Sequence, residues 1–368
     1  MFKEVILKNF RGLKYLEIDD LQPFNLFVGR NNCGKSTILE GIFILINPFN
    51  PELILRTNLF RGIEYVDYNL WKTFFYNLET ELNIELSCEL IDQFKSVIEK
   101  RFLTIKPLIE KNLPSMKLDK FVRERFEEEQ ISSEIKIPVN GLIFDYRNFK
   151  PGLPELHIKK YISIRENRLI ANIVKETKQE KEYLEHLSGS FIVPDYSAKS
   201  VSQKFHDLQI KKRIDRVLPV LRDLEPLLKS VSLGVDNLIY CDIGLENLVP
   251  LNILGNGIIK ILYILSTIAS TENGILLIDE IENGLYPISQ ELLWHAIFKT
   301  AKEFNVQIFA TTHSLECIKA YHSVYHQIFG PLDEIRLFRI EKQKSSINIV
   351  KYNQKRLATT LEMGLEMR

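Results

Sequence analysis

Residues 29–36, Gly29-Arg30-Asn31-Asn32-Cys33-Gly34-Lys35-Ser36, have the spacing G-x-x-x-x-G-K-[ST]. Backbone N–H groups of such a loop, with the positive end of the helix that follows, wrap a polyphosphate. Lys35 is expected to reach the β- and γ-phosphates of a nucleoside triphosphate. Ser36 is expected to hold Mg²⁺, and Gly29 to Thr37 to form the cradle. A second set of residues could cleave what the first set binds. Ile275-Leu276-Leu277-Ile278 is an apolar run ending in two acids, Asp279 and Glu280. Buried parallel strands read as continuous apolar runs, and ligands sit beyond their carboxyl ends. Asp279 is thus placed to hold Mg²⁺, usually through water, and Glu280 to polarise an attacking water. A third apolar run, Gln307-Ile308-Phe309-Ala310-Thr311-Thr312, ends in His313. As a further parallel strand it would deliver His313 to the same edge, against the γ-phosphate.

These groups need elements to carry them. Phe24 to Val28 has strand length, and Thr37 to Phe43 continues with helical spacing, so the glycine loop sits between a strand and a helix. Upstream, Val5-Ile6-Leu7 and Tyr15-Leu16-Glu17-Ile18 flank a turn at Asn9-Phe10-Arg11-Gly12. Glu81 to Leu86 alternates like a strand. From Ile91 to Gln130 the spacing is helical, broken by Pro107 and Pro114, with an acidic run at Glu127-Glu128-Glu129; it predicts a short helical arm. Residues 131–195 return to strand-like alternation, 200–230 look helical, and the final third alternates strands and helices before a closing hairpin. The expected division is an N-terminal lobe over 1–90, the arm over 91–130, an inserted antiparallel β region over 131–198 and a C-terminal lobe over 199–368. The fold class is α/β.

Composition narrows the setting. Lys plus Arg and Asp plus Glu both number 48, so the chain as a whole advertises neither nucleic acid nor membrane. Cys33, Cys88, Cys241 and Cys317 form no C-x-x-C pair, which argues against a disulfide framework and suits a reducing cytosol. The greasiest stretch, Ile258 to Ala269, is interrupted by Lys260 and is too short to span a bilayer. A cytoplasmic protein without a membrane partner is expected.

The glycine loop, the block Ile275-Leu276-Leu277-Ile278-Asp279-Glu280-Ile281-Glu282-Asn283-Gly284-Leu285-Tyr286-Pro287 and Thr311-Thr312-His313-Ser314 together resemble the ABC-type ATPase heads of the SMC, RecF and OLD group. The resemblance is strongest to the stand-alone AAA-labelled ATPases of bacterial anti-phage systems, and covers roughly 1–47 and 190–368. It implies a two-lobed head that binds ATP and Mg²⁺, with Asn283 near the nucleotide, and that pairs head-to-tail with a second copy. It also implies a signature loop reaching the partner's γ-phosphate; Gly255-Asn256-Gly257 is the candidate, with Leu254 where the group has serine. Two glycines opening a helix suit an anion on physical grounds too. Arg11 resembles the basic residue at the same place in SMC and RecF heads. The Q-loop glutamine is left between Gln203 and Gln93. No D-x-D follows His313, so no nuclease domain is expected in this chain. The implied role is control of an effector encoded nearby in anti-phage defence; the alternative is RecF-like DNA maintenance, with DNA as a partner.

Weaker constellations remain. His322 and His326 have i, i+4 spacing but lack the Glu of H-E-x-x-H. The basic residues between Lys95 and Arg125, and Lys211-Lys212-Arg213 with Arg216, could track phosphates. Cys33, beside Lys35 at a helix amino end, is expected to be a reactive thiol that Mg-ATP protects.

Overall fold

The structure, a computed structural model, describes residues 1–63, 70–92, 94, 96–108, 141–165, 168–173, 184–235, 237–343 and 346–367. Its centre is a six-stranded sheet that carries all three predicted strand ends. The strands are β3 (Phe24–Val28), β9 (Gly189–Ile192), β13 (Ile275–Ile278), β14 (Gln307–Thr312), β15 (Ile335–Gln343) and β16 (Ser346–Tyr352), in the order β16-β15-β3-β14-β13-β9. From β15 to β9 neighbouring strands run parallel, and β16 closes the edge as an antiparallel hairpin with β15.

Both faces of that sheet are covered, which is why its strands read as unbroken apolar runs. One face packs on α1 (Lys35–Ile46), the other on α3 (Ala198–Ile210), α4 (Ile214–Leu224), α5 (Asn256–Ser270), α6 (Ile288–Glu303) and α7 (Leu315–Phe329). Alternate residues divide between the two cores: Phe27, Leu277 and Phe309 go one way, Leu26, Ile278 and Ala310 the other. The remaining helices are α2 (Glu52–Leu59) and α8 (Gln354–Glu362), and a small meander is formed by β10 (Ser230–Leu233), β11 (Ile239–Asp242) and β12 (Val249–Pro250).

Helix α1 is buried over almost its whole length because a second sheet closes over it. That sheet is antiparallel, in the order β2-β1-β4-β5-β6-β7-β8, from β1 (Phe2–Phe10), β2 (Leu13–Ile18), β4 (Ile84–Ile91), β5 (Val97–Leu108), β6 (Gly141–Phe149), β7 (Leu156–Arg165) and β8 (Arg168–Ile173).

Strand β5 corrects the helical arm. Val97–Leu108 pairs with β4, through one register shift at Leu90/Ile91, and with β6 from Lys100 to Leu108, so it belongs to the same sheet as β1. Its inward positions include Glu99 and Arg101, both buried, and two charges on the inner face hide the alternation that would have marked a strand. Residues 109–130 of the expected arm, with Glu127-Glu128-Glu129 and Arg125, lie outside the described residues, as do Gln93 and Lys95, while Ile91 ends β4.

Arg101 has a definite task. Its Nη1 donates to the carbonyls of Leu45 (3.0 Å) and Ile46 (2.8 Å), two of the acceptors that α1 leaves unsatisfied at its carboxyl end. Its Nε and Nη2 pair with Glu99 at 2.7 Å and Glu185 at 2.8 Å. Replacing Arg101 with Met would remove the cation that joins those two carboxylates and both hydrogen bonds to the α1 carbonyls. We expect Arg101→Met to lose about 3 kcal/mol of stability, read as a lower denaturant midpoint at unchanged slope.

Candidate functional site

Strand register brings the predicted residues to one edge. Val28 of β3 is paired with Thr312 of β14, and Ile278 of β13 with Ala310. The residues that follow, Gly29, His313 and Asp279, therefore leave the sheet side by side. From Gly29 the chain turns through an exposed tip, Arg30 to Asn32, and enters α1 at Lys35. The turn is tight. Gly29 has φ +147°, and a Cβ there would lie 2.6 Å from the Ile340 carbonyl oxygen; Gly34, which caps α1, has φ +104°. Only glycine fits both backbones without strain. The Lys35 ammonium lies across the loop, donating to the carbonyls of Gly29 (2.8 Å) and Arg30 (3.0 Å). Ser36 and Thr37 follow in the first turn, where N–H groups and the helix dipole favour an anion.

The acids are held by Thr311. Its hydroxyl donates to Asp279 Oδ1 at 2.5 Å and accepts the Glu280 N–H at 2.8 Å, while its carbonyl accepts the Ile281 N–H. Glu280 takes a left-handed backbone, φ +48°, an uncommon state for a residue with a Cβ and one that recurs at functional sites. Glu282, largely buried, accepts the His313 N–H at 2.8 Å and pairs with His313 Nδ1 at 3.0 Å. That contact orients an otherwise half-exposed imidazole and leaves its Nε2 for other partners.

The signature candidate sits where α5 begins. Gly255 precedes the helix with φ +108°, Asn256 opens it and Gly257 lies in its first turn. A Cβ on Gly257 would be 3.3 Å from Leu285 Cδ2, so this turn packs on the segment that follows Glu280. Asn283, in that segment, is exposed.

Other predicted residues are placed elsewhere. Arg11 is turned inward: it pairs with Glu40 of α1 at 2.7 Å, donates to Thr57 and Asn58 at 2.8 Å each, and lies over the Phe74 ring. Burial pulls its pKa down to about 10 against the opposing pull of Glu40. In this arrangement its guanidinium braces α1 against α2. Gln203 is exposed on α3 and lines a groove of about 980 Å³ with Lys204, His206, Asn237 and Tyr263. The segment beyond β9, next to Asp279 at the sheet edge, is Val193-Pro194-Asp195-Tyr196-Ser197, which contains no glutamine.

The three weaker constellations are placed as follows. Lys211 donates to the Ser270 carbonyl at 3.4 Å, Arg213 is tied to the Ala269 carbonyl and Glu272, and Arg216 to Glu303 at 2.6 Å over the Phe304 ring, so three of the four residues of that basic cluster are engaged within the chain. His322 and His326 stack on α7, but among the described residues no group of three His, Cys, Asp or Glu could hold a metal ion. Cys33 is only 3% exposed, so the expected reactive thiol is shielded. We expect iodoacetamide to label Cys33 slowly, at the same rate with and without Mg-ATP, and quickly only after denaturation. Peptide mass spectrometry over time checks this; protection by Mg-ATP would contradict it.

Sequence reasoning missed three residues. Arg61, just after α2, forks onto Glu40 (2.6 and 3.0 Å) and donates to Thr37 Oγ1 at 3.1 Å, beside the phosphate loop. Thr311 and Glu282 hold the acids and His313. Thr311 and Glu282 lie within recognised motifs, but no local pattern states what any of the three does, because each acts through a residue distant in sequence.

Residues 24–318 match the family described as "AAA domain, putative AbiEii toxin, Type IV TA system", a span from β3 into α7 that contains every strand end of the site. The chain belongs to this family. A protein of Helicobacter pylori (strain ATCC 700392 / 26695) named ATP/GTP phosphatase is 24% identical over 347 residues, 89% of each chain. The DNA double-strand break repair Rad50 ATPase of Archaeoglobus fulgidus is 35% identical over 77 residues, 21% of this chain and 9% of that protein. Among solved structures, an SMC head bound to the C-terminal winged-helix domain of ScpA superposes with a TM-score of 0.50 at 10% identity, over 96% of this chain and 98% of that one. The fold is thus the α/β head of SMC type. No helix among the described residues is long and apolar enough to cross a membrane.

Proposed function

We propose that this chain binds and hydrolyses ATP with Mg²⁺, as an ATP-gated cytoplasmic dimer that controls a separately encoded effector in anti-phage defence. The observation that carries the chemistry is the meeting of three parallel strand ends, which sets Lys35, His313, Asp279 and Glu280 on one edge. Phosphoryl transfer asks little of a protein beyond positioning and charge. The loop N–H groups from Gly29 to Thr37 and the Lys35 ammonium would take the phosphate oxygens. The Ser36 hydroxyl and the Asp279 carboxylate are hard oxygen donors of the kind Mg²⁺ takes, so the residues fit the ion. When bound, Mg²⁺ would neutralise phosphate charge. Glu280 would accept the proton of the attacking water, and His313 would contact the γ-phosphate.

A second copy would bring its Gly255-Asn256-Gly257 turn to the same nucleotide. The defence role is supported by the toxin–antitoxin description of the family; the likeness to a Rad50 ATPase supports the DNA-maintenance alternative. Phosphate release from Mg-ATP by the purified protein tests hydrolysis. Phage challenge of cells carrying this gene with and without its neighbours tests the role. Protection that needs both supports the proposal; no protection, with DNA binding that falls steeply as salt rises, supports the alternative.

A further inference from the structure

We infer that Lys260 is a positioning residue, whose buried ammonium ties the helix opening at the Gly255–Gly257 turn to the segment carrying Glu280. The inference rests on the ATPase reading above. Lys260 lies on α5 one turn beyond Gly257 and is 3% exposed. Its Nζ donates to the Asn283 carbonyl. The Asn283 N–H in turn donates to the Glu280 carbonyl at 2.9 Å, closing a turn over 280–283. Two hydrogen bonds therefore join α5 to the backbone of the hydrolytic acid. Packing adds a second link, because Gly257 meets Leu285.

The far side of this segment is equally tied. Thr311 fixes Glu280 and Ile281, and Glu282 fixes His313. A shift of the α5 amino end has a contiguous, hydrogen-bonded route to Glu280 and His313 alike. Contact of the Gly255–Gly257 turn with a second subunit's nucleotide would in this way set the hydrolytic acid, so that water is activated only in the closed dimer.

The chemistry of the position points the same way. On an apolar helix packed under the sheet, a methionine would fill this volume without the cost of burying charge. Burial pulls the Lys260 pKa down to about 8, and the nearby carboxylates of Glu282 and Glu280 act against that fall. The ammonium thus sits in the field of both acids while holding the turn between them.

The test compares Lys260→Met and Lys260→Arg with the parent. We expect Lys260→Met to lower kcat about tenfold or more, as small misplacements of reacting groups do, with Mg-ATP affinity held within about threefold. Lys260→Arg, which keeps the cation and a donor, should recover most of kcat. Hydrogen exchange of the Ile281 to Leu285 amides should quicken in Lys260→Met and stay near the parent's rate in Lys260→Arg. Unchanged kcat in Lys260→Met, an equal fall of kcat and affinity, or unchanged exchange would each overturn the inference. A parent that fails to hydrolyse ATP would overturn the ATPase reading instead; the exchange measurement needs no turnover and still judges the grip of Lys260.

Discussion

Glu280→Gln should stop turnover while keeping ATP. The substitution preserves size and one hydrogen-bonding oxygen, and Asp279 still holds its bond from Thr311. What disappears is the carboxylate that can take a proton from water. Loss of a general base costs about a hundredfold to ten-thousandfold in rate, so kcat should fall at least about a hundredfold. Mg-ATP affinity should remain, because Gly29 to Thr37 and Lys35 are untouched. The bound nucleotide should then survive gel filtration as ATP, where the parent releases ADP. Phosphate release within threefold of the parent would remove Glu280 from the mechanism. The left-handed backbone at Glu280 sharpens this expectation. The Thr311 hydroxyl holds its N–H there, and Gln tolerates that backbone as well as Glu does. The effect therefore reports on the carboxylate and not on a collapsed turn.

How much of this was legible in the chain depends on the range of each interaction. The glycine loop announces itself within eight residues, because its strand, turn and helix are consecutive in sequence. Asp279, Glu280 and His313 were legible as ends of apolar runs, and the parallel order β3-β14-β13 bears out the shared edge. Helix and strand types in the last third follow the apolar periodicity closely. The failures share one cause: charged residues placed on inner faces. Glu99 and Arg101 made β5 look like part of a helix, although their charges cap α1 and satisfy each other. Arg11 looked like a ligand in a turn, yet in this arrangement it is paired with Glu40. Lys260 looked like a mere interruption of an apolar helix, although its partner lies on another element. Periodicity records which face is apolar; it is silent when a buried face is built from paired charges. The roles of Arg61 and Glu282 were invisible for the same reason, since nothing in their local sequence names Thr37 or His313.

Lys35→Ala should give the opposite result to Glu280→Gln: loss of nucleotide and of closure together. Lys35 is buried at the centre of the loop, and on the proposed reading its ammonium would meet the β- and γ-phosphates. A charge-assisted hydrogen bond to an anion contributes about 1.5–3 kcal/mol, and every 1.4 kcal/mol is about tenfold in affinity. Mg-ATP affinity should therefore fall by about tenfold to a hundredfold or more. Alanine also removes the bonds to the Gly29 and Arg30 carbonyls, so the loop loses its internal brace. If ATP is the ligand that joins two heads, binding and closure are linked in free energy, and whatever weakens one weakens the other by the same amount. The two variants then separate along a single measurable coordinate. With one fluorophore on each subunit, Glu280→Gln should move to the short distance on adding Mg-ATP and stay there. Lys35→Ala should keep the long distance with and without nucleotide at concentrations that close the parent. An effector could hold two heads near each other without ATP, so co-purification is the wrong readout and the change in distance is the right one. Identical distances in all four conditions would mean that the chain is no ATP-gated clamp, whatever its rate of hydrolysis. A short distance in Lys35→Ala only at far higher ATP would instead measure how much of the closure energy Lys35 supplies.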